Sequence, residues 1–401
     1  MLHISRRARL LACLMALALL VPVAGLRLQT TQQLEQFHRR TLHAWPANNA
    51  FAGDPVAWFR DARAWLVDRA YPIRHAAQWR RQLLLHVLHT SPQGNIALGD
   101  DGFIFLTGVD ENTRYSIIEG ACINAHTAEA GAALRRALAQ LAQYSERSGI
   151  AVDVVVLPTL LTMYPERLPN SIPQIYRDAC AARGRGESPL LDVAAPAGLH
   201  YSFPMAELRA ARDDPAFFPQ ANWHAYGLSV KVARDSYLRQ LGLAPPSTEH
   251  LKRVDKPSEI LLMHGFTLLR PAWQVDSDTV APDASGNDAF RAAIADLAPN
   301  PRFITYGWKN STPLRAEKVL MVSDSYGQLT APLYTAAFSS MVQITANDFK
   351  NTSVPLLVQR TRETRGVDRL ILLVHDGGIY RIFGWASALQ RSVLISIEGA
   401  H

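Results

Sequence analysis

The sequence predicts an α/β protein built on a parallel sheet with helices on both faces. Two observations carry this reading. Four short apolar, β-branched runs, at residues 150–157, 318–322, 341–344 and 370–374, lack the alternation of a half-exposed strand and so read as strands buried on both faces. Stretches with helical spacing lie between them, which is the order of successive strand–helix–strand units. In such sheets function gathers at the C-terminal ends of the strands.

The elements follow in order. Arg6, Arg7 and Arg9 precede an apolar run over 10–26 that only Pro22 interrupts. A positive flank before an apolar run is an export signal. About 20 apolar residues span a bilayer, so the run is at the short limit. Val23-Ala24-Gly25 offers a weak cleavage site. A cleaved signal peptide and an uncleaved anchor both fit; the poor site favours the anchor, and in either case the rest of the chain is exported. The expected location is the periplasm, with the chain held at the inner membrane. Residues 1–27 form this signal or anchor, 28–90 a helical region, and 91–401 the α/β domain.

Within 28–90, Trp58, Ala62, Trp65, Leu66 and Ala70 recur at helical spacing, and Pro72 ends the stretch. Two apolar segments flanking Gly99-Asp100-Asp101-Gly102 predict a β-hairpin. Residues 128–148 predict an amphipathic helix with Leu134, Leu138 and Leu141 on one face and Gly149 as its cap. Residues 275–300, rich in Asp, Ala and Pro, read as an insertion or loop.

Composition excludes several classes. A chain of 401 residues, 48% hydrophobic and 19% charged, is neither disordered nor a polytopic membrane protein. Three cysteines exclude a disulfide-dense scaffold; Cys122 and Cys180 lie in the exported part, where a bridge is open to them. The net charge of +6 comes from arginines scattered among 35 acidic residues, which does not make a nucleic-acid surface. No ligand spacing for a metal and no Gly-rich phosphate loop occurs, so no cofactor is expected. Asn310 and Asn351 lie in glycosylation sequons that matter only in a glycosylating host.

Two segments carry possible chemistry. The run ending at Val322 is followed by Ser323-Asp324-Ser325-Tyr326-Gly327 and then by helical spacing over 329–339. A serine here projects from the end of the sheet beside backbone N–H groups, which can stabilise an oxyanion. The same residues could simply cap the helix. The second segment, Gln220-Ala221-Asn222-Trp223-His224-Ala225-Tyr226-Gly227, gathers amide and imidazole groups around a tryptophan.

Together these segments resemble the SGNH-hydrolase-like domain of the alginate O-acetyltransferases, the AlgJ/AlgX family. The resemblance runs from about Ala62 to Ile379. It rests on Ala64-Trp65-Leu66-Val67-Asp68-Arg69, on Leu98-Gly99-Asp100-Asp101-Gly102-Phe103-Ile104-Phe105, on Val156-Leu157-Pro158 with Tyr164-Pro165-Glu166, and on Ser323-Asp324-Ser325-Tyr326, similar to the family's Gly-Asp-Ser nucleophile motif. It implies an SGNH-like sheet and transfer of acetyl groups to an exported polysaccharide, alginate or another, through an acetyl-serine on Ser325. It also implies a polytopic membrane O-acyltransferase as the donor's source, and no metal.

The family's Asp-x-His-Trp motif supplies its acid and base. Trp223 lies four residues before Gly227, as in that motif, which puts Gln220 and Asn222 where the Asp and His belong. Carboxamides are not bases near neutral pH, and a serine hydroxyl needs one. His224, two positions on, is the first substitute; His375 with Asp376, His264 and His200 are others. Trp223, Gln220, Asn222 and Tyr326 are then candidates for holding a sugar. Two further readings remain open: a degenerate polysaccharide-binding or scaffold protein of the same fold, and a polysaccharide acetyl-esterase.

Overall fold

A computed structural model describes residues 42–47, 50–69, 93–110, 112–246, 249–263, 268–298 and 303–398, with isolated positions between 80 and 91. The run over 10–26 and His264 lie outside the described residues. Among the described residues no helix is long and apolar enough to cross a membrane.

The chain divides into two compact units. One comprises the chain up to Pro92 together with Leu261–Thr267. It holds helix α1, Pro55–Arg69, where Trp45 packs edge-on against Trp58 and Trp65 and Asp68 is buried against His43. The helical spacing of Trp58, Ala62 and Trp65 is this helix.

The other unit comprises Gln93–Ile260 and Leu268–His401. Its hairpin pairs β1 (Ile96–Leu98) with β2 (Ile104–Leu106), and the turn is closed by Asp101 at φ 53 and Gly102 at φ 82. Its main sheet has seven strands: β3 (Ala151–Leu157), β4 (His200–Ser202), β7 (Val280–Pro282), β8 (Thr305–Asn310), β9 (Arg315–Ser323), β10 (Phe338–Thr345) and β11 (Arg369–His375). They stand in the order β4-β3-β11-β9-β10-β8-β7. The first five are parallel; β3, β9, β10 and β11 are the four apolar runs, and the short β4 carries no such signal. The last two are antiparallel, so the sheet is mixed rather than wholly parallel. Strand β8, between β10 and β7, exposes Tyr306 between buried Thr305 and Gly307, the alternation of an antiparallel strand with one wet face.

Helix α2 (Ala128–Ser148) begins where the Thr127 side chain accepts the Ala130 N–H and stops at Gly149, φ 69. It buries Leu134, Leu138 and Leu141 and packs on the last helix, α7 (Tyr380–Glu398). Between the strands run α5 (Tyr326–Thr335) and α6 (Val354–Arg365), while α3 (Leu228–Gln240) packs on α5. The helical spacing after β9 was expected to reach 339, but Phe338 and Ser339 already belong to β10. The described part of the expected loop, 275–298, is also structured. It carries the end of β6 (Leu269–Ser277), β7 and a helix over Ala284–Ala293 that Asp283 caps at the Gly286 N–H and that buries Phe290. Its polar composition hid one apolar stripe. Strand β6 pairs with β5 (Glu249–Pro257) in a separate hairpin with no strong sequence signal.

Cys122 and Cys180 form a disulfide. A second buried tie crosses the sheet. The Tyr237 hydroxyl on α3 donates to Asp153 Oδ2 on β3 at 2.6 Å, and Arg369 on β11 donates to the same oxygen and, at 2.6 Å, to Glu317 on β9. Asp153 Oδ1 is buried without a partner. Removing one of the donors to a buried carboxylate leaves its desolvation uncompensated. Tyr237→Phe is therefore expected to cost about 1–3 kcal/mol. It should move the denaturant midpoint without changing the slope. A variant as stable as the parent would refute this account of the network.

Candidate active site

Strand β9 delivers three polar residues to the sheet's C-terminal edge, and each has a different environment. Ser323 is fully buried; its Oγ donates to the Asp324 carbonyl at 2.8 Å and accepts from Gln343 Nε2 at 3.0 Å. Asp324 is also buried. Its Oδ1 accepts the Tyr326 N–H at 2.9 Å and its Oδ2 the His375 N–H at 2.8 Å, so it caps α5 and joins the ends of β9 and β11. Ser325 is partly exposed, and its side chain makes no cap bond. The capping explanation for these residues therefore applies to Asp324 and not to Ser325.

Ser323 stands where the family motif has glycine, and the structure accommodates it through another glycine. A Cβ on Gly327 would lie 1.9 Å from Ser323 Oγ and 2.4 Å from its Cβ. Overpacking of this kind costs about 1–3 kcal/mol. Gly327→Ala is expected to destabilise by that amount, although alanine favours helices, and Ser323→Gly in the same chain should restore most of the loss. Additive losses in a double-mutant cycle would show that the two positions are not coupled.

The tryptophan loop reaches the same edge. Gly227, at φ 66, opens α3; a Cβ there would meet the Trp273 and Ala216 carbonyls at 2.5 and 2.8 Å. The Tyr326 hydroxyl donates to the Trp223 carbonyl at 2.7 Å and ties the loop to α5. Around the Tyr326 ring stand Trp223, His224 and His375, with centroids 5.8, 5.2 and 5.2 Å away. The Trp223 and His375 rings are themselves 5.4 Å apart. Ser325 thus directly precedes the residue on which two imidazoles and the indole converge.

The two imidazoles differ. His224 Nδ1 is 2.9 Å from Glu259 Oε2, which also accepts the His224 backbone N–H at 3.1 Å. His224 Nε2 is buried with no hydrogen-bond partner. Burial pushes the Glu259 carboxyl up, but its hydrogen bonds and charge contact with His224 outweigh this and hold it below the usual range. His375 ends β11, one-fifth exposed, with Asp324 Oδ2 3.8 Å from Nε2 and Asp376 Oδ1 3.9 Å from Nδ1. Burial lowers its affinity for a proton; the two carboxylates overcome that and raise its pKa. Asp376 is held in turn by the Thr159 N–H and the Thr162 hydroxyl at the end of β3. Gly378 keeps this corner open: a Cβ there would approach Asp324 Oδ2 to 3.0 Å.

The remaining sequence candidates fall elsewhere or take other roles. Asn222 is buried, and its Oδ1 accepts the Glu259 N–H at 3.1 Å at the start of α4 (Glu259–Met263). Gln220 is exposed; its carbonyl accepts the Ile104 N–H, and it lines a surface cleft of about 650 Å³ with Tyr164, Arg212 and Trp273. His200 opens β4 opposite Asp153, away from the strands' C-terminal ends. A second cleft, of about 360 Å³, is lined by Tyr226, Lys256, Gln274, Trp308 and Gln328, the last one turn beyond Ser325. Among the described residues no group of three or more His, Cys, Asp or Glu side chains converges to hold a metal ion.

Glu259 carries no sequence signal. It lies 35 residues from His224, just before the apolar Ile260, and only the fold brings the two side chains together.

No protein-family model matches the chain, and no curated protein sequence matches it. Among solved structures it is similar to a DHHW family protein from Eubacterium siraeum, at 11% identity over 63% of this chain and 88% of that one, with a TM-score of 0.41. It is similar to Bacillus cereus PatB1 at 10% identity, over 71% and 95% of the two chains, with a TM-score of 0.44. It is also similar to the O-acetyltransferase domain of Pseudomonas putida AlgJ at 12% identity, over 74% and 99% of the two chains, with a TM-score of 0.43.

Proposed function

We propose that the chain is an SGNH-like O-acetyltransferase acting on an exported polysaccharide, with Ser325 as nucleophile and His224 as base. One observation carries the reading. Although amides occupy the expected acid and base positions, a histidine with a free, buried Nε2 stands against the residue that follows Ser325.

His224 Nε2 takes the Ser325 proton while Oγ forms a bond to the acetyl carbonyl carbon of an activated ester. The donor's C–O bond breaks, and the leaving oxygen takes that proton from the imidazolium. An acceptor hydroxyl then gives its proton to Nε2 and attacks the acetyl carbon, and Ser325 leaves with the proton returned. His375, which holds its proton more tightly than a free imidazole, would supply positive charge near the developing oxyanion.

A sugar acceptor is supported by the cleft beyond Ser325, which sets Trp308 and Tyr226 beside the Gln274 and Gln328 amides; aromatic faces with neighbouring amides suit a sugar ring. Export is supported by the disulfide, since such bonds persist in oxidising compartments. Anchoring at the inner membrane by residues 10–26, and delivery of acetyl by a polytopic membrane O-acyltransferase, complete the proposal.

The test uses the purified chain and p-nitrophenyl acetate. The parent should gain one acetyl group by intact mass, and Ser325→Ala should not. Equal labelling of the two excludes Ser325. A parent that takes no label favours a sugar-binding protein without chemistry, the reading that the uncapped, unbonded Ser325 side chain also allows.

A further inference from the structure

The geometry points to Glu259 as the positioning residue of the acid–base pair: we infer that His224 and Glu259 together replace the missing Asp-x-His dyad, with the carboxylate recruited from α4. The inference rests on the proposed function for its chemistry, and on three observations for its geometry.

First, the contact is of the kind that fixes an imidazole. Glu259 Oε2 accepts from both His224 Nδ1, at 2.9 Å, and the His224 backbone N–H, at 3.1 Å. Two bonds to one oxygen hold the ring's position as well as its tautomer. With the proton on Nδ1, Nε2 is left as the acceptor, which is the form a general base requires. Second, Nε2 has no partner although it is buried. Buried polar atoms are rarely left so, and the exceptions call for an explanation such as a catalytic role. Third, the carboxylate is itself anchored. Asn222 Oδ1 accepts the Glu259 backbone N–H at 3.1 Å, and the neighbouring Ser258 hydroxyl donates to the Ala221 carbonyl at 2.6 Å. The position that holds the family's histidine has become a bracket for the new carboxylate. A carboxamide suits that task, since its oxygen accepts a backbone N–H without adding charge beside Glu259.

The groups facing the pair are also consistent with an ionised carboxylate. Lys256, at the end of β5, contributes positive charge to Glu259, and the Tyr326 and Tyr226 rings contribute none at neutral pH because burial pushes both hydroxyls up, Tyr226 to about 12. Asp276 acts with Glu259 on Lys256 and Tyr226 from the β6 side. In the acylation step Glu259 neither gains nor loses a proton; it stabilises the imidazolium formed when Nε2 takes the Ser325 hydrogen.

The test compares the full chain with Glu259→Gln and Glu259→Asp. With p-nitrophenyl acetate, Glu259→Gln should lower kcat by on the order of 10³–10⁴-fold with KM nearly unchanged, the size of loss seen when an orienting carboxylate becomes an amide. Glu259→Asp should recover part of the rate. The nitrogen NMR spectrum of His224 supplies an answer that does not depend on turnover: the parent's neutral ring should carry its proton on Nδ1, and Glu259→Gln should lose that preference. A parent that acetylates Ser325 while Glu259→Gln keeps its kcat and its Nδ1 tautomer overturns the dyad and leaves the proposed function standing. A tautomer preference that Glu259→Gln abolishes in a chain that never labels overturns the proposed function and leaves a structural hydrogen bond.

Discussion

Replacing His224 with alanine should slow acetylation of Ser325 by on the order of 10⁶-fold, leaving roughly the 10³–10⁴-fold advantage over water that oxyanion donors and binding supply without a base. The reasoning is specific to the two imidazoles beside Tyr326. Each ring has one buried nitrogen without a hydrogen-bond partner, Nε2 in His224 and Nδ1 in His375, but only His224 has its other ring nitrogen hydrogen-bonded to a carboxylate, whereas His375 sits between two carboxylates that favour its protonated form. A protonated ring cannot accept a hydrogen, so His375→Ala should cost less, chiefly through lost charge at the oxyanion. Asn222→Ala should cost less still in rate. Its larger effect should be on stability, through the lost acceptor for the Glu259 N–H. The measurement is the rate of p-nitrophenol release by the three variants. If His375→Ala is the most damaging, the base belongs to β11 and the tryptophan loop serves only to bind.

Opening the Cys122–Cys180 bridge should have the largest effect on stability. The two residues are 58 apart in sequence, and a loop of that length corresponds to about 4 kcal/mol in the chain-entropy account. Cys122 is fully buried in the turns that precede α2, and Cys180 is fully buried in the helix over Gln174–Gly184. Substituting both with serine also buries two hydroxyls in apolar surroundings, so the double alanine variant isolates the covalent term. Its denaturant midpoint should fall by the equivalent of about 4 kcal/mol, and reducing the parent should reproduce most of that fall. A reduced chain as stable as the oxidised one would mean that the bridge contributes nothing to the fold.

Local pattern was enough for much of this molecule. The four apolar runs are β3, β9, β10 and β11, because strands buried on both faces need continuous apolar sequence. Helix α2 follows from leucines at helical spacing between a threonine cap and a glycine, and the first hairpin follows from its Gly-Asp-Asp-Gly turn. Ser325 was legible for the same reason: its place at a strand end is a consequence of the strand. The hairpin of β5 and β6 was not, since its long strands are largely polar and exposed, and their pairing is decided by the register between them.

The sequence by itself determined which residues form the central strands, where the exposed serine falls, and that the expected acid and base are absent. Only the tertiary structure decided which groups the two imidazoles meet. Glu259 meets His224, and His375 meets Asp324, through contacts across 35 and 51 residues. Periodicity reports which face of an element is buried; it holds no record of which distant element that face will meet.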